Sequence, residues 1–560
     1  MTILPENDNK AAYQQRLRQQ ATGIQDENTT TITTPLLERQ QQQLSYDKTE
    51  NISQEETIEP FQIHLFRFVE NATPIAIANL LQQPARWIII YTAGHLGSTA
   101  LAAVSLAQTF ENASIYILIY ALQSAISTLC AQTWTAAKDK SLTGIHLQRG
   151  LVIFALMCCF PISIAWYTAS YALGYIQQDT EIVHQAQFYL QYQFPGFIAF
   201  GVYTFLQVFL EAQGIMSALT YAMIISLPFN ALFNYMLVYG EPFTLGIRGV
   251  SFALTLTSIL ILSVMILYII YVRGSKGWPS LSLVETRRKL FQDWSPLLQL
   301  YLPCCFVQCC NTCVQEITIL VTSYLGKTEL AAQAILLRTH LTFFAFGYAI
   351  QIVTANRIGN AIGSGSVMNT QRVVWAGGSI AFAIALLILV TLVIFRTSYP
   401  YLFAEDHLVA QAVSNVIPIF SVTQMINMFS ALGTGTLDGL GYQKITAASM
   451  FVTYFILVGP LGYLSLQLGW IQHCSLDMLW TGMAVGHALV SAAQLGYIFL
   501  LDWNMESHKV LQRIRVEDCN TFTEQEQEQG VSSTVVLDNN RTNTYGTTTA
   551  ATMPEGNSSI

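Results

Sequence analysis

"YLGKTELAAQAI" occupies residues 324–335, and "HLGSTALAAVSL" occupies residues 95–106. Both read L-G-x-T-x-L-A-A, which aligns Gly97 with Gly326. A second pair follows in the same order. "LEAQGIMSA" (210–218) matches "LDGLGYQKI" (437–445), which aligns Gly214 with Gly441 at nearly the same separation along the chain. Two matches in order at nearly one spacing argue that the chain was built by duplication.

The duplicated unit is apolar. Of 560 residues, 52% are hydrophobic and 11% charged, and the mean hydropathy is +0.41. Soluble domains average about 25% charged residues, so this chain has too little polar surface to cover itself in water. About twelve segments approach the roughly 20 apolar residues that a spanning helix needs. They centre near residues 83, 115, 158, 198, 228, 260, 311, 344, 384, 423, 457 and 490. The expected fold is an all-α polytopic membrane protein of twelve transmembrane helices. Twelve spans at this offset make two six-helix lobes. Six is even, so the lobes share one orientation, as a parallel repeat. The expected boundaries are a cytosolic tail at 1–62, a first lobe at 63–272, an inter-lobe linker at 273–296, a second lobe at 297–502 and a second tail at 503–560.

Charge supports this order. Residues 1–62 hold 10 acids and 5 bases, and residues 503–560 hold 8 and 4; the body between is nearly neutral, with 16 acids and 17 bases. The tails are rich in Gln, Thr, Asn and Ser and read as disordered. Lys and Arg favour the inner loops by fourteen to three when the N-terminus is placed inside, so both tails are expected in the cytosol. No basic patch with interleaved aromatics is present, which speaks against nucleic acid as a partner. Cys305, Cys309 and Cys313 share one helical face. That segment has no His, and packing explains small, weakly polar side chains better than a metal does.

"NTCVQEITILVTSYLG", residues 311–326, carries Glu316 with no base from Tyr301 through Leu325. A lone carboxylate in hydrocarbon costs about 2.5–3.5 kcal/mol or more, so it belongs in the bundle interior. At about 100° per residue, Gln308, Asn311, Thr312, Gln315, Glu316, Thr322 and Ser323 share an arc of roughly 140°. Such a stripe suits a wet cavity between lobes that rock in alternating access. A shielded Glu can hold either a proton or a cation, and that competition is the simplest physical form of antiport. A structural Glu, bonded to a neighbouring helix, is the plainer alternative. Glu111 poses the same question in the second segment, as do the intramembrane bases Arg86 and Arg338. Glu211 and Asp438 hold matched positions near inner helix ends and read as repeat structure. His95 and His340 read as end or packing residues.

Six motifs then fall in order: "GHLGSTALAAVSLA", "STLCAQTWTAAK", "FLEAQG", "QEITILVTSYLGKTELAA", "RIGNAIGSG" and "LDGLGYQK". From Phe61 to Asp502 the chain resembles the eukaryotic branch of the multidrug and toxic compound extrusion (MATE) family. The resemblance implies a proton-driven exporter of organic cations, drugs or secondary metabolites. Its coupling is to the proton gradient, with no cofactor. It implies that Glu316 is the essential acid of the seventh helix and that Gln82 is the first-helix Gln of "LLQ". Asn427 stands where animal and plant members usually carry a second acid. An amide cannot take a proton at ordinary pH, so coupling would rest more on Glu316. Arg86 stands where plant members tend to have a neutral residue. The expected site is therefore Glu316, Asn427, Gln82, Gln308, Thr312, Gln315 and Glu111. Expected partners are protons, a small-molecule substrate and the bilayer. The chain is expected to be a monomer in the plasma or vacuolar membrane. The alternatives are a flippase for lipids or lipid-linked molecules, which a basic cavity lining would favour, and a polytopic membrane enzyme. The enzyme reading leaves the repeat unexplained.

Overall fold

The computed structural model describes residues 59–514, apart from 158–160, 177–178, 241–244, 279–289, 292–293, 404–405, 459–474 and 513. Residues 1–58 and 515–560, most of the inter-lobe linker and the side chain of Ser323 lie outside the described residues; the start of the second tail, expected to be disordered, is helical over 503–512, with Val510 and Ile514 buried in an apolar cluster. The described chain is helical, with no strand among the described residues.

The first half runs α1 (Phe61–His95), α2 (Ser98–Ala136), α3 (Ser141–Met157), α4 (Thr180–Ala212), α5 (Ala218–Val238) and α6 (Ile247–Tyr271). Short helical pieces, Ser163–Tyr167 and Ala169–Ile176, lead from α3 towards α4. The second half runs α7 (Ser295–Leu325), α8 (Lys327–Gly363), α9 (Val367–Ile394), α10 (His407–Leu440), α11 (Gln443–Phe451) and α12 (Leu476–Leu500). Nine of the described helices are long and apolar enough to cross a membrane. Of the segment centred near 158, the helix is described as far as Met157 and residues 158–160 lie outside the described residues; the segment near 457 becomes a wide π turn over Val452–Val458.

The repeat glycines have a conformational reason. Gly97 and Gly326 lie between α1 and α2 and between α7 and α8, at φ 118° and 140°. Gly214 and Gly441 follow α4 and α10 at φ 79° and 86°. A Cβ disfavours this half of backbone space, so glycine marks all four turns. Proline sits inside α1 (Pro74, Pro84), α4 (Pro195), α5 (Pro228), α7 (Pro303) and α10 (Pro418). Neighbouring helices can re-satisfy the carbonyls that these residues free.

The buried apolar residues form two main clusters, and the first helix of each half starts in the other half's cluster. Phe68, Ile75 and Ala76 of α1 pack with residues of α8, α9, α10 and α12. Leu297, Leu300, Tyr301 and Cys304 of α7 pack with residues of α2–α6. Leu297 stands as far beyond Phe68 in the chain as Gly326 stands beyond Gly97, and Cys304 as far beyond Ile75. The exchange is thus two-fold, like the sequence repeat.

Candidate functional site

Near the end of the bundle that carries the termini, the halves are sewn together by hydrogen bonds. Gln132 Nε2 donates to the carbonyl of Gly439 at 2.8 Å, and Thr128 Oγ1 donates to that of Asp438 at 2.8 Å. Gln443 Nε2 donates to Thr128 Oγ1 at 2.8 Å. Asn360 Nδ2 reaches the carbonyl of Ala212 at 3.3 Å, and Arg357 Nη1 reaches that of His64 at 2.9 Å. Small residues let the backbones approach: a Cβ on Gly359 would stand 2.7 Å from the Cβ of Ala131.

Glu211 and Asp438, the repeat-related acids, sit in this seal, 1% and 8% exposed. Gln207 Nε2 donates to Glu211 Oε1 at 2.7 Å, and Asn356 of α8 lies within reach of the same carboxyl. Gln351 Nε2 and Ser124 Oγ donate to Asp438 Oδ2 at 3.3 and 3.4 Å. Each acid thus faces the opposite half, so the sequence reading of matched positions becomes a matched inter-half contact. Further crossing bonds run from Gln123 Nε2 to the Tyr348 hydroxyl at 3.2 Å and from the Tyr301 hydroxyl to Met157 Sδ at 3.4 Å. Around Glu111 and His340 the hydrogen bonds each stay within one half.

In the first half, Glu111 ends a regular turn of α2 just before a π turn over Asn112–Tyr116. Such widenings often accompany function because they re-aim side chains. Glu111 is 2% exposed, with Gln193 of α4 as its hydrogen-bond partner. Its Oε1 has no partner, nor do the buried oxygens Gln193 Oε1, Asn230 Oδ1 and Asn234 Oδ1. The Tyr189 hydroxyl, also buried without a partner, lies close enough to act on Glu111, so one spare donor stands beside these acceptors. Arg86 is exposed on α1 and near enough for its charge to act on Glu111. The two do not form an ion pair among the described residues.

The second half differs at the equivalent place. His340 is the counterpart of Glu111, at the same separation as the glycines Gly97 and Gly326. Its Nδ1 pairs with Gln424 Oε1 at 3.0 Å, which puts a proton on Nδ1. Trp480 Nε1 donates to Gln333 Oε1 at 2.9 Å, and Tyr454 pairs with His487 at 3.2 Å. Gln424 Nε2 and Gln333 Nε2 are buried without partners. Here the spare groups are donors.

The sequence-derived site residues are divided between these regions. On α7, Tyr301 and Cys304 face α3 and α2 of the first half. Gln308, Thr312 and Gln315, all half-buried, continue that face by helical spacing. Glu316 stands at its edge, half-buried, and among the described residues no basic group acts on it. Asn427 is half-buried on α10, three residues beyond Gln424. Gln82 is half-buried one turn before Arg86 on α1. The structure therefore brings Glu111 together with Gln193 and Arg86, and it leaves Glu316 on a separate helix of the other half. Sequence reading missed Gln193, Gln424 and the aromatic cluster at Tyr116. Their partners come from helices distant in the chain, and no local motif marks them.

The MatE family profile matches residues 74–236 and 303–464, once in each half. The chain belongs to the MatE family. The second matched stretch begins as far beyond the first as Gly326 lies beyond Gly97. Among curated relatives, an uncharacterized transporter of Schizosaccharomyces pombe is 27% identical over 84% of this chain and 88% of its own. Protein DETOXIFICATION 51 of Arabidopsis thaliana is 27% identical over 78% of this chain and 81% of its own. Multidrug and toxin extrusion protein 1 of Rattus norvegicus is 26% identical, covering 80% and 77%. The crystal structure of the eukaryotic MATE transporter AtDTX14 superposes with a TM-score of 0.73 at 22% identity, over 81% of this chain and 99% of that one. This MatE chain is therefore a polytopic membrane transporter of twelve helices in two lobes, and not an enzyme.

Proposed function

We propose that this MatE chain exports amphiphilic small molecules in exchange for protons, a cargo class that includes the organic cations and drugs expected from the sequence. Glu316 and Glu111 are the acids that exchange the proton, while Gln82, Gln308, Thr312, Gln315 and Asn427 line the path. The observation that carries the reading is a pair of acids without ion-pair partners among the described residues, in halves whose described bonds to each other lie towards one end. Neither acid is locked in an ion pair among the described residues, so a proton can compete for its charge. Sealing one end while the other is unbonded is one of the two states that alternating access requires. With the basic loops inside, the sealed end is cytosolic, in the plasma or vacuolar membrane, and the unit is a monomer.

The test is exchange in proteoliposomes under an imposed pH gradient. Glu316→Gln is expected to abolish gradient-driven uptake of a fluorescent amphiphile while the protein stays folded and inserted. Unchanged uptake in both Glu316→Gln and Glu111→Gln would overturn the reading.

A further inference from the structure

Two arginines on helices of opposite halves stand within electrostatic reach of each other. Arg338 lies on α8 and Arg86 on α1. On α8, the face of Arg338 recurs at Asn356, Asn360 and Gly363 by helical spacing. Those three residues meet Glu211, the carbonyl of Ala212 and the pair Gln132–Thr135 of the first half. On α1, the face of Arg86 recurs at Ile75, Phe68 and His64. Phe68 and Ile75 pack into the second half, and His64 accepts from its Arg357. Each arginine therefore prolongs an inter-half face beyond the level at which the halves bond. There the face is open: Arg86 is exposed and Arg338 half-buried.

Their depths agree. Arg86 lies about 14 Å from the far end of α1, and Arg338 about 17 Å from that of α8, at 1.5 Å per residue. Each is near enough for its charge to act on the other. Neither has an ion-pair partner among the described residues. The charge of Arg86 also reaches Tyr116, Tyr120 and Tyr203. These belong to an aromatic cluster. Tyr116 and Tyr120 stack at 5.9 Å, and the Phe200 ring stands 5.1 Å from Tyr116 and 5.2 Å from Tyr203.

Two guanidinium groups without ion-pair partners among the described residues repel each other and any cation, and Glu111, whose carboxyl also feels Arg86, opposes an anion only while it is ionised. The shared complement of the two arginines is an anion, and guanidinium suits planar or tetrahedral oxyanions because it donates two parallel hydrogen bonds. From this juxtaposition we infer that the cargo of the cleft carries an acidic group, carboxylate, sulfonate or phosphate, seated between Arg86 and Arg338, with an aromatic body against Tyr116 and Tyr120. The inference rests on the transporter reading above and narrows its cargo from amphiphiles in general to aromatic organic acids. It also agrees with the energetics of exchange. An anion leaving and a proton entering both move positive charge inward, so an inside-negative potential drives both.

An anionic lipid headgroup has the same chemistry as a soluble acid, so the test has two arms. In the first, the full-length chain in phosphatidylcholine nanodiscs is titrated with 1-naphthalenesulfonate and with 1-naphthylmethylammonium. The sulfonate is expected to bind at least about tenfold tighter than the cation, and Arg86→Gln or Arg338→Gln each to weaken it about tenfold, as loss of one charged hydrogen bond does. Arg338→Lys keeps the charge and should recover part of the affinity, which separates recognition from misfolding. Equal binding of the cation, or unchanged sulfonate binding in the double Gln variant, would overturn the inference. In the second arm, phosphatidylserine is added to the discs. Sulfonate binding that persists supports a soluble cargo. Binding lost in proportion to phosphatidylserine would assign the seat to a lipid headgroup and overturn the soluble acid. Neither arm uses a pH gradient, so sulfonate binding should survive in Glu316→Gln even where exchange is lost.

Discussion

The two halves repeat one backbone plan and fill it with opposite chemistry. In the first half the interior holds Glu111 and Gln193 with spare acceptor oxygens; in the second, at the equivalent place, it holds His340 and Gln424 with spare donors. The turns, by contrast, are unchanged, with a positive-φ glycine in each. Duplication preserves what the backbone requires, since no other residue fits those turns cheaply. It leaves the interior free to diverge, because a helix in lipid is already satisfied along its backbone. Spare acceptors thus outnumber spare donors around Glu111, while around His340 the spare groups are donors.

The sharpest way to break this contrast is a matched pair of substitutions. Glu111→Gln should lower pH-gradient-driven exchange about tenfold or more, and His340→Gln, which keeps a hydrogen-bonding side chain towards Gln424, less than about threefold. Equal losses in proteoliposome flux would show that the halves do not divide these roles. A second pair reads stability. Gln193→Leu strips a carboxyl of its bond and should cost about 2–3 kcal/mol, whereas Gln424→Leu strips a neutral imidazole and should cost about 1 kcal/mol. Thermal unfolding of the purified chain checks the order.

The seal between the halves gives a third test. A Cβ at Gly363 would stand 2.3 Å from Thr135 Oγ1 and 2.6 Å from the Gln132 carbonyl. Gly363→Ala should therefore destabilise the sealed state by about 1–3 kcal/mol through overpacking. Faster hydrogen exchange at Gln132 and Thr135 would report it, and unchanged protection there would count against the close approach. The smallest difference tests the shared backbone. Gly97→Ala and Gly326→Ala should each cost about 1–3 kcal/mol, the strain of a side chain at positive φ with ψ near 170°. The loss should be larger at Gly326, where a Cβ would stand 2.7 Å from Glu329 Oε2, than at Gly97, where it meets nothing, and a reversed order in Tm would count against the shared turn.

Much of the fold was legible in the chain. L-G-x-T-x-L-A-A located both halves and both turns, and hydropathy located the spans. The stretch after Phe451, where regular helix gives way to a π turn, carries no local signal that separates it from ordinary apolar helix. Less of the candidate site was legible. Glu111 and Glu316 stood out because a carboxyl in an apolar run is costly wherever it points. Glu111 turned out buried beside Gln193, a residue nothing in its own segment marks. Glu211 and Asp438 looked alike in sequence and proved to meet opposite halves.

By itself the sequence determined that this chain crosses a membrane many times, that it does so in two copies of one unit, and where the copies turn. Those are properties of single segments, set by apolar length and by the backbone conformation that glycine permits. Only the tertiary structure decided that α1 and α7 each begin inside the other half's core, that the halves are bonded near one end, and that Arg86 comes within electrostatic reach of Arg338. Those facts depend on which helix faces which, and the hydropathy of a segment is the same whichever neighbour it meets.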